Sequence, residues 1–283
     1  MPEQEVIKKQ EVKEETPATP TTKFFVAVPS YDRRISVPTV QGLLNAIQVF
    51  QLNNIPFEFK FEVGMCWISM ARNSLARAFM ESDCTDMIFI DDDIGFPPLA
   101  FRDLISSGED IVAGVYPKKE TDENYAALFK VNQKSELNVE NGLIEADGLP
   151  TGFMKIKRSV FEKLQADFDR MQVKLEVLQK ENPDLVIPEL IYTDVRYGKK
   201  TYNFFGEFVS NGRWFGDDFG FCRRWQNILG RLWVLPNITF IHQGNKNYEG
   251  NLHQYLSRSA QGGKFLPGEK EGPTWITKPS ANK

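Results

Sequence analysis

The sequence predicts an α/β domain with a mainly parallel central sheet. Three observations carry this. Short apolar runs alternate with segments of helical period, and the runs close on proline, glycine or aspartate. Hydrophobic residues make up 41% of the 283 and aromatics 12%, including 22 Phe, which is ample for a packed core. Strand–helix alternation of this kind places helices against a sheet whose strands run largely the same way.

The elements follow in order. FFVAVP (Phe24–Pro29) is an apolar run closed by proline and predicts a buried strand. Over Thr39–Leu52, Val40, Leu43, Leu44, Ile47 and Phe50 share one face of a helix. FEFKFEVG then alternates Phe57, Phe59, Phe61 and Val63 with polar residues, the period of a strand. Ser69–Met80 reads as a helix and Met87–Ile90 as a strand ending at three aspartates. Pro97 opens another helix, where its missing N–H costs nothing. Asp110–Pro117 is the next apolar strand. Phe161, Leu164, Phe168, Met171, Leu175 and Leu178 then form a heptad-like seam on a helix spanning about 159–181. That seam serves either packing on its own domain or a partner helix, which would make a homo-oligomer. Tyr192–Phe205 predicts a hairpin with Gly198 in its turn.

Composition bounds the rest. Residues 1–22 mix Glu, Lys, Pro and Thr with few large apolar side chains, so a disordered tail is expected there. A domain is expected over 23–256 and a second tail over 257–283. The formal net charge of −4 does not favour a nucleic-acid backbone as partner. The three cysteines, Cys66, Cys84 and Cys222, form no CxxC pair or disulfide framework, which suits a reducing cytoplasmic setting. The N-terminal residues have no apolar core of a secretory signal, and no apolar run approaches the ~20 residues of a membrane span.

Chemistry concentrates at Asp91-Asp92-Asp93, directly after the apolar MIFI run. Ligands of α/β folds bind beyond the carboxyl ends of the strands. Three adjacent carboxylates repel one another, and a hard cation such as Mn²⁺ or Mg²⁺ would hold them together and bridge a substrate diphosphate. Alternation along an extended segment points Asp91 and Asp93 one way and Asp92 the other. A solvated acidic turn is the plainer alternative for this run alone.

Context narrows the choice. Ala71-Arg72-Asn73 opens the helix that feeds this strand, and ARNSLARAFMESDCTDMIFIDDDI resembles the nucleotide-binding half of the family-2-like glycosyltransferases, which have the GT-A fold. Ser74 stands where many of them have Gly. Gly216-Asp217-Asp218-Phe219-Gly220-Phe221-Cys222-Arg223-Arg224-Trp225 is similar to that family's Gly-Glu-Asp segment ahead of a basic helix. The resemblance implies that Asp218 is the general base and that Asp217, one methylene shorter than the usual Glu, orients the acceptor. It further implies that His242, ending the late strand in ITFIHQG, completes a metal or diphosphate site with Asp91 and Asp93. Tyr248 and Gly250 match a loop that closes over the pyrophosphate in some relatives. Pro29, Ser30, Tyr31 and Asp32 lie where relatives cradle base and ribose, with Arg72, Asn73, Asp91 and Asp92 also on the nucleotide-sugar. Gly152, in GLPTGFM, falls on the acceptor side. His253 is expected at the surface.

The activity so implied is metal-dependent transfer of a sugar from a nucleotide-sugar, a UDP-sugar foremost, to an acceptor hydroxyl with inversion. The acceptor (a glycan, lipid-linked sugar, protein or modified nucleic acid) stays open. A haloacid-dehalogenase-like phosphatase also has Asp-x-Asp after a strand, but it wants Thr or Val where Gly95 stands. A nucleotidyltransferase of similar fold usually begins with a Gly-rich basic loop, which VPSYDRR lacks. A catalytically silent relative acting as a binding or assembly module is the non-enzyme alternative.

Overall fold

A computed structural model of the chain describes residues 22–261. The first strand, β1 (Phe24–Ser30), is buried along its whole length. It pairs in parallel with β2 (Phe57–Val63) and with β3 (Asp86–Ile90), and the crossovers are α1 (Val37–Leu52) and α2 (Ile68–Glu81). Ser36 caps α1 by accepting the Thr39 N–H, with proline in the first turn. The short β4 (Ile94–Gly95) and α3 (Pro98–Ser106) follow the aspartates and lead to β5 (Ile111–Gly114).

The chain then forms β6 (Leu128–Phe129), β7 (Val139–Glu140) and β8 (Leu143–Gly148), then β9 (Phe153–Lys157) and the long α4 (Arg158–Glu181). Two hairpins come next, β10 (Ile191–Asp194) with β11 (Lys199–Tyr202), and β12 (Phe208–Ser210) with β13 (Arg213–Phe215). Gly198 takes φ +62° in the first hairpin's turn, a backbone region that favours glycine. Last are α5 (Asp217–Asn227), β14 (Leu232–Leu235), β15 (Thr239–Gln243), β16 (Asn247–Asn251) and α6 (Leu252–Gln261).

The central sheet runs β2-β1-β3-β9-β5-β14-β8-β6, with β7 also paired to β8. Most of its strands point the same way, as expected, but β9 lies antiparallel between β3 and β5, and β8 is antiparallel to β14, β6 and β7. Apolar layers cover both faces. Phe25, Phe79, Phe89, Phe161 and Phe221 pack on one face, and Phe24, Phe50, Ile88, Phe101 and Phe240 on the other. Neighbours Phe24 and Phe25, like Ile88 and Phe89, therefore serve opposite layers, which is why these strands read as continuous apolar runs.

Several expectations change. The helix α6 runs to Gln261, across the predicted tail boundary at 257; residues 1–21 and 262–283 lie outside the described residues. Tyr248 and Gly250 belong to a strand, not a loop, because β16 pairs along its length with β15. On β2, Phe57 and Phe59 face the core, but Phe61 and Val63 are exposed and Glu62 is buried. Glu62 accepts from Ser74 Oγ at 3.1 Å and Arg196 at 2.6 Å, so the sheet edge anchors the first hairpin. The heptad seam divides: Phe161, Leu164 and Phe168 are buried in the domain's own core, whereas Met171 and Leu178 are exposed. Only the second half of that helix is left for any partner.

Candidate active site

The carboxyl ends of β1, β3 and β5 share one edge of the sheet, as parallel pairing dictates. They deliver Pro29–Asp32, Asp91–Asp93 and the segment from Val115 to Lys119. The three aspartates diverge, but Asp92 and Asp93 lie in a turn, where the Ile94 N–H donates to the Asp91 carbonyl at 3.3 Å, and not on the extended segment expected. Asp92 faces the first strand: burial pushes its carboxyl above the ordinary range, a hydrogen bond with Ser30 opposes this, and the charges of Asp93 and Asp91 add to it. Pro29 and Ser30 are buried in β1, while Tyr31 and Asp32 are exposed at its end.

Asp93 meets His242 because β15 pairs with β4, setting His242 opposite Ile94. The Gln243 N–H donates to the Asp93 carbonyl at 2.8 Å and fixes that register. His242 Nδ1 lies 2.7 Å from the Pro117 carbonyl. A carbonyl can only accept, so Nδ1 donates to it and Nε2 is left facing Asp93. Nε2 stands 3.5 Å from Asp93 Oδ2. A histidine oriented by a backbone carbonyl beside a carboxylate is a donor set that fits Mn²⁺. Although burial works against it, His242 and Lys119 hold the Asp93 carboxyl below its usual value.

Asp91 is not part of that pair. Its carboxylate is taken by Arg72, with Nη1 3.0 Å from Oδ1 and Nη2 3.2 Å from Oδ2. The same guanidinium donates through Nε to Asp217 Oδ2 at 2.8 Å, across 145 residues of sequence. Arg72 is 5% exposed and lies over the Phe89 ring, 5.4 Å from its centroid. Burial alone would favour its neutral form, but Asp91 and Asp217 hold it charged. The expected trio of Asp91, Asp93 and His242 therefore reduces to Asp93 and His242. The three do not gather within the 4.8 Å span of a preformed ligand cluster. Among the described residues, Glu58, Asp83 and Cys84 do gather so closely, but Lys23 bridges the two carboxylates and supplies the countercharge.

Asp217 and Asp218 open α5, where the helix N-terminus favours negative charge. The Phe219 N–H donates to Asp218 Oδ1 at 2.7 Å. Burial first, and then the charge of Asp217, push the Asp218 carboxyl up to about 6. Gly152 sits between the acids. Its N–H donates to the Tyr116 hydroxyl at 3.2 Å and its carbonyl accepts from the Asp91 N–H at 3.0 Å. A Cβ at this position would lie 2.4 Å from the Tyr116 hydroxyl and 2.5 Å from Asp91 Oδ2, so only glycine fits. Its neighbours are thus Asp91 and Tyr116 rather than an acceptor surface alone.

Asn73 is a further correction. It is 1% exposed, donates to Asn203 at 2.9 Å and accepts from the Phe205 N–H at 2.9 Å. Those bonds pin the stretch after the first hairpin and leave no side-chain face for a nucleotide. Two residues of this edge were not anticipated, Tyr116 and Lys119. The signal for both was available: they follow an apolar strand parallel to the one bearing the aspartates. His253 is exposed, as expected. A cleft of about 470 Å³ lined by Trp225, Arg231 and Trp233 lies near the other ends of β5 and β14 and contains none of these residues.

Compared with protein-family models and with curated protein sequences, the chain matches none. The functional argument therefore rests on the arrangement of these side chains. No described helix is long and apolar enough to cross a membrane.

Proposed function

We propose that this protein is a divalent-metal-dependent glycosyltransferase of the GT-A type that moves a sugar from a nucleotide-sugar, UDP-linked foremost, to an acceptor hydroxyl with inversion. The observation that carries the reading is Arg72, which ties Asp91 to Asp217 and so brings two sequence-distant acid motifs to one edge of the sheet. One side of that edge has the features of a donor site. Pro29, Ser30, Tyr31 and Asp32 offer a buried strand end and an exposed aromatic to base and ribose, with Asp92 beside them.

Asp93 and His242 would hold the Mn²⁺ or Mg²⁺. Bound there, the ion would stabilise charge on the departing nucleoside diphosphate. On the other side, Asp218 takes the proton of the acceptor hydroxyl as the oxygen attacks the anomeric carbon. A carboxyl near 6 is ionised at neutral pH yet basic enough to accept that proton. Asp217, immobilised by Arg72, orients the acceptor. One base and one attack give a single displacement, hence inversion.

The direct test is release of nucleoside diphosphate from a panel of nucleotide-sugars by purified protein with Mn²⁺. Turnover of at least one donor, abolished by EDTA and by Asp93→Asn, is expected. Turnover that survives both treatments would remove the metal from the mechanism, and no turnover across the panel would favour a non-catalytic binding role.

A further inference from the structure

Lys119 has no part in the reading so far. It leaves the end of β5 just after Pro117, and its Nζ lies 2.5 Å from Asp93 Oδ2. That is the oxygen His242 Nε2 approaches to 3.5 Å. The ammonium thus occupies the Asp93 oxygen that a cation shared with His242 would use. The fold also makes room for its stem. At Gly244, in the β15–β16 turn, a Cβ would lie 3.1 Å from Lys119 Cδ and 3.1 Å from a Tyr248 ring carbon. Gly244 is not among the residues with positive φ, so its missing side chain serves this contact and not an unusual backbone.

We propose that Lys119 is a resident counter-ion of the metal site, exchanged for the divalent ion and then engaging the diphosphate of the nucleotide. The proposal rests on the glycosyltransferase reading above and adds a diphosphate-binding residue and an order of binding. Without a divalent ion, Asp93 would present an uncompensated charge beside Asp91 and Asp92, and the ammonium offsets it. A lysine is suited to such exchange because it is a point charge on a flexible stem with three rotatable donors. Its side chain is 39% exposed, so it swings out without breaking the core. A divalent ion held by Asp93 and His242 would repel it, and the nearest new anion would be the diphosphate of the nucleotide. Lys119 therefore weakens metal binding to the free protein and strengthens nucleotide binding once metal is present. Metal binding thus precedes nucleotide binding and is reinforced by it.

Titration calorimetry of Mn²⁺ alone, and of UDP in saturating Mn²⁺, separates the two effects in wild type, Lys119→Met and Asp93→Asn. Lys119→Met should bind Mn²⁺ alone about tenfold more tightly than wild type. It should bind UDP with Mn²⁺ about tenfold less tightly, the size of one charge-assisted hydrogen bond. Equal Mn²⁺ affinity in wild type and Lys119→Met, lost in Asp93→Asn, would overturn the counter-ion role while leaving the metal site intact. Failure of Lys119→Met to bind Mn²⁺ at all would overturn both this proposal and the metal reading beneath it.

Discussion

Asp93 and Asp218 are the same residue type at the same edge of the sheet, yet their surroundings drive them in opposite directions. Burial disfavours charge on both. At Asp93 the His242 ring and the Lys119 ammonium outweigh it, and the carboxyl stays ionised below the ordinary range. At Asp218 the charge of Asp217 adds to burial and outweighs the opposing charge of Arg72, which Asp91 and Asp217 already engage. On the proposed mechanism, the Asp93 end holds charge and the Asp218 end receives a proton. The lesson is that the distribution of cations, more than the depth of burial, divides the labour among these aspartates.

The largest effect should come from erasing the unusual member of that comparison. Asp218→Asn keeps shape and the Phe219 N–H partner but cannot accept a proton, so kcat for transfer should fall ~10²–10⁴-fold. In wild type, kcat/KM should rise with pH through about 6 and level off above it, and the variant should lose that rise. Stability should move the other way. The folded pKa of about 6 lies above an unfolded value of ~3.9, so ionised Asp218 disfavours the fold at neutral pH. That cost fades as pH falls through 6 and is gone near the unfolded pKa. The melting temperature of Asp218→Asn should therefore exceed wild type at pH 7.5 and converge with it near pH 4. A variant melting below wild type at pH 7.5 would break the contrast.

Removing the shared cation comes next. Arg72→Met leaves two largely buried carboxylates without their partner, and loss of one member of a buried pair typically costs ~3–5 kcal/mol. Chemical denaturation should show a loss of that order at neutral pH. The smallest effect should come from the far half of α4. Phe161→Ala, in the core half, should cost ~3–5 kcal/mol. Leu178→Glu, half-exposed beyond the core, should stay within ~0.5 kcal/mol. A large loss or a change of mass in Leu178→Glu would mean that this half is covered in solution.

The parts readable in the sequence were those with local cause. β1, α1, α2 and β3 follow from periodicity within a few turns of chain, and Asp91–Asp93 mark a strand end in any register. What was not readable depends on distant partners. Asn73 is occupied by Asn203, 130 residues away, and nothing near position 73 announces that bond. Asp91 leaves the metal set because Arg72 is held from the other side by Asp217. Residues 118–142 carry two-residue strands, too short for any period to reveal. The direction of β9 was equally hidden, since FMKIK is as apolar whichever way it runs.

That last strand has a consequence for how the protein is made. β3 and β5 never touch as paired strands: β9 separates them and hydrogen-bonds to both. A ribosome that has released only the first 150 residues leaves one edge of β3 and both edges of β5 without a mate. Non-local pairing of this kind is slow and leaves edges open to other chains. The aspartate-bearing strand therefore acquires its second neighbour only after residue 157 emerges, and the sheet beyond β5 waits for residues 232–235. A gene cut between the two acid motifs would not yield two independent halves, because the seam between them lies inside the sheet rather than at its border.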